Sequence, residues 1–565
     1  MSLRRVQQAA LGVAALTLLA GCATDRATQT PSAQGASAAA VPARAGWPEG
    51  YAELVALFEA FRADVPPKMR GFVPDYTAEA MEARGRLARE YLDALGRIDD
   101  SDWPIPFRVD YMLVLAEMRA LDFQHRVLRP WEKDPAFYST TSLGFGPKMH
   151  GAMTIPELPL AEAEVDTLGA RLSAVPDILA QARANLTDAR GDLARRAIAQ
   201  KTIERNVYDQ LARGLAVHHP HIAPAALAAR DATADFLAWL DAIEDQLPPH
   251  GGIGAENYDW YLRHVMLFPY TAEEMAIIAQ REYERSLTFL KIEENEHREL
   301  PMTQPVETLA AFKEARRQTD LEMLAFLQDE QIMTVPDWFE PPEPSGPYVL
   351  PGDRDPQRGG PFDPPVRRHF FRQAEDRNNV ALRAHNLPGH HFDSRMSARD
   401  DRPIRGAERL FFISGARTEG WAMYLEEMIL QAGMMDDDPK AREITYILQT
   451  KRAARVLPEI KLHANEWTFE EALHSLTSRT PYWMGPRDAI ALFDLELYLR
   501  QPGYGIGYYM GKVEFEALLA DVAQRRGPDF NLRAFHDEVH AKGLIPLSLI
   551  RWEMTGDDSQ VRHMR

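Results

Sequence analysis

Apolar residues return every three or four positions through the long segments of this chain, a period that buries one face of a helix and no face of a strand. Thr271-Ala-Glu-Glu274 has the capping-box pattern, with Thr271 as N-cap and Glu274 reaching back to it. The helix it opens is predicted to run through Ile277, Ile278, Tyr283 and Leu287 to about Glu294. Val306 to about Gln328, Asp438 to about Leu462, Pro486 to Leu499 and Asn531 to about Lys542 carry the same period. One irregular stretch interrupts them, Trp338 to Pro365, dense in proline and glycine, with short β-like pieces at Tyr348–Leu350 and His369–Phe371. Connections of that length are usually functional, and this one reads as a lid-like insertion. The expected fold class is mainly α: a single large multi-helical body with a short β-containing Pro/Gly-rich insertion.

The start of the chain is separate from that body. Arg4 and Arg5 precede an apolar run from about Ala9 to Ala20, which closes on Leu19-Ala20-Gly21-Cys22. A spanning helix needs roughly 20 apolar residues, so the run is too short to span and reads as an export signal. A small-residue cleavage site directly before a cysteine resembles the bacterial lipobox, which implies lipidation of the Cys22 thiol. Cys22 is the only cysteine in the chain, whereas an exported protein otherwise uses cysteines in pairs. The expected organisation is a signal peptide over residues 1–21, a lipidated flexible tether over 22–46 and the helical body over 47–565. The tether is rich in Ala, Ser, Thr, Gln and Pro and has too little apolar surface to order itself. Lipid anchoring at the cell envelope on the periplasmic side follows. Ala23, where an aspartate would signal inner-membrane retention, favours the outer membrane. A formal net charge of −19 argues against nucleic acid and against an anionic membrane surface as partners, leaving the lipid as the only membrane contact. Length alone would suggest several domains, but no internal repeat and no second linker divides the body.

Histidine and carboxylate cluster in the second half. One segment is Ala384-His385-Asn386-Leu387-Pro388-Gly389-His390-His391-Phe392-Asp393, the other Thr418-Glu419-Gly420-Trp421-Ala422-Met423-Tyr424-Leu425-Glu426-Glu427. Histidines on one helix and a glutamate on a following one can assemble three ligands around zinc and leave a fourth position open. The same residues also suit a polar Pro-Gly turn followed by a helix with solvated glutamates. Two ligands on one helical face want i,i+4 spacing; His385 to His390 is i,i+5 and needs a break or bulge, which Pro388-Gly389 would supply.

Pro388-Gly389-His390-His391 and Glu419-Gly420-Trp421-Ala422-x-Tyr424-x-Glu426 resemble motifs of the bacterial family called "domain of unknown function 885". In the same order, Arg455, Glu459 and His463 fit its Arg-x-x-x-Asp-x-x-x-His helix, and Pro502-Gly503 with Tyr508 and Gly511 fits its Pro-Gly-x-x-x-x-Tyr-x-x-Gly segment. Phe535-His536-Asp537 and Gly543-x-x-Pro546-Leu547 fit its end, and Tyr258-Asp-Trp-Tyr-Leu262 with the Thr271 box is similar to its middle. The resemblance spans Trp47 to Met554. It implies a fold like that of helical zinc peptidases of the carboxypeptidase Taq kind, a zinc cofactor, a short peptide as substrate or ligand, and many lipoprotein members. It also implies metal ligands among His385, His390, His391 and Glu419, with His390 and Glu419 the firmest and His385 or His391 completing the set. Tyr508 would be the oxyanion donor, and His463 and Arg455 would stand on the substrate side.

The chain departs from the family pattern His-Glu-x-x-Pro-Gly-His-His. Without a gap, Ala384 replaces the first histidine and His385 the glutamate; with a one-residue deletion, Asn386 replaces the glutamate. Either way the expected general base is missing, since Asn takes no proton from water and neither does a metal-bound His. Asp393 and Glu426 are the substitutes to consider. The expected function is a peptide hydrolase using metal-activated water, or else a binding or structural lipoprotein on a catalytically altered peptidase fold. His536-Asp537-Glu538-Val539-His540 has i,i+4 histidines and is a rival metal site. His218-His219-Pro220-His221 reads as a loop without a carboxylate or cysteine beside it.

Overall fold

The computed structural model describes residues 44–142, 149–348, 362–363, 366 and 368–565. The expected export signal, Cys22, most of the expected tether and much of the Pro/Gly-rich insertion lie outside the described residues, including 349–350 of the expected β-like piece at Tyr348–Leu350. Among the described residues the regular structure is almost wholly helical, and its one sheet is a two-stranded hairpin, Met69–Arg70 against Val73–Pro74.

Local chemistry sets the helix ends. The capping box forms: Thr271 Oγ1 accepts from Glu274 N at 3.2 Å, Glu274 Oε2 accepts from Thr271 N at 2.8 Å, and the helix runs Ala272–Glu296. Thr308, Asp488 and Asn531 accept backbone N–H groups at the starts of Leu309–Asp329, Ala489–Arg500 and Leu532–Lys542. The predicted Asp438–Leu462 helix is instead two, Pro439–Ala453 and Val456–His463. Pro458 explains the break, because it has no N–H to offer the Ala454 carbonyl and its ring crowds that group. His369–Phe371 is also not β-like. His369 Nδ1 accepts from Arg372 N at 3.3 Å and caps the helix Phe370–Glu375.

The helices pack round two large apolar cores. The larger gathers residues from Tyr51 to Met564, among them Phe58, Leu113, Leu290, Trp421 and Phe515. The second lies among Glu162–Asn185, Gly191–His218 and Ala223–Ile243, through residues such as Leu172, Tyr208 and Phe236. A smaller cluster joins Leu193 of that lobe to Leu473, Leu495 and Tyr498. At the centre, Gly415–Gln431 crosses Tyr504–Arg526 at two glycines. A Cβ on Gly511 would lie 2.0 Å from the Ala416 carbonyl oxygen, and one on Gly420 would lie 2.3 Å from the Gly511 carbonyl carbon. Only glycine permits so close a crossing. Among the described residues, no helix is long and apolar enough to cross a membrane.

Candidate metal centre

The helix Val380–Ala384 widens into a π-helical turn over His385–His391, then continues as Phe392–Ser397. Pro388 sits inside this turn, where it would crowd the Ala384 carbonyl in regular α geometry. A π turn bonds i to i+5 and so stacks residues five apart, which brings His385 over His390 with ring centroids 4.6 Å apart. The bulge that the i,i+5 spacing demands is therefore present. Trp421 Nε1 donates to the Pro388 carbonyl at 3.0 Å, and Gly389 lets the turn sit against Ala422. These contacts dock the histidines beside Glu419.

His385, His390 and Glu419 converge. Their Nε2 atoms lie 3.0 Å apart, and Glu419 Oε2 is 3.7 Å from His385 Nε2 and 3.4 Å from His390 Nε2. All three side chains are buried, and Glu419 Oε2 has no hydrogen-bond partner. Three ligand atoms aimed at one point repel unless a cation lies among them. Bonds of about 2.0–2.1 Å to tetrahedral zinc place ligand atoms about 3.3 Å apart, which matches this spacing. Burial first, then the charges of His390 and Arg452, hold His385 well below the usual histidine range. Burial pushes Glu419 up, but His390, His385 and the Tyr508 hydroxyl outweigh it, and the carboxyl stays below its usual range. A neutral His385 and an ionised Glu419 are the ligating forms, so these donors suit zinc.

The surroundings orient the cluster. His385 Nδ1 lies 2.9 Å from Glu426 Oε1, too far off axis for a hydrogen bond but close enough to orient the ring. Glu426 Oε2 accepts from Arg452 Nη1 at 2.9 Å and from Gln449 Nε2 at 3.1 Å. Burial pushes Glu426 up to about 7, against the pull of Arg452 and Arg455. Glu419 Oε1 accepts from the Tyr504 hydroxyl at 3.1 Å. Tyr508 reaches Glu419 and Tyr504, its ring stacked 6.5 Å from that of His385, and the Arg455 guanidinium lies 4.5 Å from the Tyr508 ring.

Several expected residues lie elsewhere. His391 turns outward, its Nε2 at 3.3 Å from the Glu340 carbonyl and its ring against Phe339, so His385 completes the set. His463, expected on the substrate side, neither joins the cluster nor lines the cleft. It is fully buried, with Nε2 3.0 Å from the Tyr498 carbonyl and its ring stacked on Tyr258. Glu459, between Arg455 and His463, accepts from Tyr258 OH, Gly503 N and Ile506 N and so fastens the start of the helix that carries Tyr504 and Tyr508. Neither substitute base is free: Asp393 is bonded to Arg417 and paired with His540, and Glu426 stands behind His385. The rival histidines diverge. His536 lies between the Ile332 carbonyl and Tyr424, whereas His540 turns to Asp393. In the first histidine run, His219 Nε2 accepts from Leu160 N, a purely structural bond. Arg452 stands in no distinctive sequence pattern, and Gly503, Gly505 and Gly507 around Tyr504 suggest a close backbone approach or a plain turn rather than a role for the tyrosine itself.

The cluster adjoins a cleft of about 2040 Å³ between the two cores. His390, Ser394 and Thr418 line it on one side, and Leu168, Gln200 and Ile203 line it from the second lobe.

Fold and site thus define an all-α protein in which a π turn and a neighbouring helix hold two histidines and a glutamate beside an interlobe cleft. The chain belongs to the family described as "Bacterial protein of unknown function (DUF885)", which matches residues 62–554. Two solved structures share the fold. One, "a putative lipoprotein of unknown function" from Shewanella oneidensis, is 18% identical with a TM-score of 0.67, covering 89% of this chain and 97% of its own. The other, a "putative lipoprotein" from Colwellia psychrerythraea, is 15% identical with a TM-score of 0.66, covering 90% and 99%. No curated protein matches the chain.

Proposed function

We propose that this protein is a zinc-dependent hydrolase of short peptides, lipid-anchored through Cys22 on the periplasmic side of the envelope, with the outer membrane favoured. The observation that carries the reading is the convergence of His385, His390 and Glu419 within 4.8 Å of one another in a buried cluster beside the cleft. The lipobox-like start supports the anchor, as does the description of both structural neighbours as a "putative lipoprotein".

Zinc bound here would supply a Lewis acid and a water of lowered pKa. The chain's own residues do the rest. Glu426 fixes the His385 ring through its Nδ1 side. Burial keeps the Tyr508 hydroxyl protonated, well above its usual range, so it can donate to the oxygen of a scissile carbonyl as charge develops there. Arg455, behind the Tyr508 ring, adds a fixed positive charge. Asn386 Nδ2 donates to the Leu382 carbonyl at 2.7 Å, and its amide accepts no proton. Without a positioned base, turnover is expected to be about 10²–10⁴ slower than with one.

The missing base also favours a second reading, in which the site binds a peptide without cleaving it. Elemental analysis of the purified protein should find about one zinc per chain, lost in His390→Ala and Glu419→Gln. Peptide cleavage should stop on chelation and return with zinc. A metal-free protein whose melting temperature zinc does not raise would overturn the metal reading. Zinc-bound protein that peptides stabilise but that cuts none of them would establish the second.

A further inference from the structure

Away from the metal centre, the cleft wall carries charges of a different kind. Most cations lining it are matched by carboxylates: Arg405 to Asp110 at 2.6 Å, Arg500 to Asp134 at 2.6 Å and Arg196 to Glu496 at 3.2 Å. Arg84 and Arg171 line the same cleft and pair with no carboxylate among the described residues. Arg84, half-buried, donates to the Val65 carbonyl and otherwise meets the Met81 sulfur. Arg171 lies 5.2 Å from the Phe72 ring, and its Nε has no partner. Of the remaining wall carboxylates, Glu164 caps the Ala161 amide, and burial pushes Glu408 toward its neutral form.

A guanidinium withdrawn from water and left without an anion is costly unless a ligand supplies one. Further polar groups line the cleft near Arg84, whose charge reaches both His125 and His150. His125 sits on a second π-helical turn, Gln124–Leu128, with its Nδ1 unpartnered, and His150 feels the Arg84 charge. Turns of this kind recur at functional sites. Guanidinium groups recognise carboxylates bidentately, with charge-assisted hydrogen bonds.

We propose that Arg84 and Arg171 form a carboxylate-binding subsite in the interlobe cleft, so that the peptide held there is one that presents an anionic group. The inference takes the peptide as ligand from the proposed function; the carboxylate site itself stands on the two arginines. The carboxylate belongs either to the peptide's C-terminus or to an Asp or Glu side chain.

The test is equilibrium binding of the full chain to three acetylated alanine tetrapeptides: one with a free C-terminus, its C-terminal amide, and the amide carrying one glutamate. At least one carboxylate peptide should bind about tenfold tighter than the neutral amide, and the advantage should shrink with salt. Whichever carboxylate peptide gains identifies the source. The double variant R84Q/R171Q should bind all three alike, whereas R84K/R171K should keep part of the preference. If the double variant does not fold, R171Q alone should cut the preference at least about threefold. Equal binding of the three peptides by the parent overturns the proposal, and so does an unchanged preference in the folded Gln variants. His390→Ala separates the two readings, because it should abolish zinc binding and cleavage while the carboxylate preference stays.

Discussion

Behind the histidine–glutamate cluster, Glu426 is gripped on both oxygens: Arg452 Nη2 stands 2.7 Å from Oε1, and Arg452 Nη1 and Gln449 bond Oε2. Both Glu426 and Arg452 are buried, so their worth lies less in net attraction than in what is exposed when one partner goes. Removing one member of such a pair costs about 3–5 kcal/mol, because the other is left charged and dry. Glu426→Ala should therefore lower the melting temperature steeply even in metal-free protein. Glu426→Gln keeps the volume and part of the bonding but loses the charge that aligns His385, and should weaken zinc binding by about 10–100-fold. Chelator competition measures this. A Gln variant that holds zinc as tightly as the parent would remove Glu426 from the metal centre.

The two central helices meet where side chains are absent. Gly511→Ala would drive a Cβ to 2.0 Å from the Ala416 carbonyl, a backbone atom that cannot step aside. The helices must then separate, and because Gly415–Gln431 carries Glu419 and Tyr504–Arg526 carries Tyr504 and Tyr508, the site opens with them. The expected cost is about 1–3 kcal/mol or more, read as a lower melting temperature, with Gly485→Ala, which would meet nothing within 4 Å, as the neutral control. Equal effects of the two would mean that the crossing is slack. This crossing also marks where sequence reading stops. The Thr271 box and the i,i+5 demand of His385 and His390 are local chemistry and were readable, whereas the Thr308 and Asp488 caps lie two residues inside the predicted starts at Val306 and Pro486. Which helix Gly420 presses against is a tertiary fact with no local signature. The same limit misplaced His463: its four-residue spacing from Glu459 shows that they share a face, but not that this face looks toward Tyr258 and the start of the next helix. His369–Phe371 was misread because a short aromatic run fits strand and helix N-terminus equally. Tyr504 and Arg452 reach the site only through packing.

Over the whole molecule, burial has displaced acids and bases in opposite directions, and stability against pH reflects the sum. His369, His463 and His536 are pushed down to about 4 by burial. An unfolded histidine titrates near 6.5, so these three favour unfolding as pH falls from about 6.5 toward 4, and their contribution is intact above that window. Glu459 acts with the opposite sign. Burial raises it to about 7 against the pull of Tyr258, Ile506 and Gly503, so between about 4.5 and 7 the folded state holds a proton that the unfolded state has released. Its contribution is present at acid pH and lost as pH rises through 7. The two sets overlap, so the parent's profile alone assigns neither, but the difference between parent and Glu459→Gln isolates one. The variant should be less stable throughout, because its amide N–H₂ must face donors from Tyr258, Gly503 or Ile506. Its deficit should be largest near pH 4.5 and shrink by about 1.4 kcal/mol per pH unit toward pH 7, the worth of one proton. Denaturant unfolding of both proteins across that range measures it. A deficit that does not change with pH would mean that Glu459 is already ionised in the fold, with the three donors and the helix start prevailing over burial.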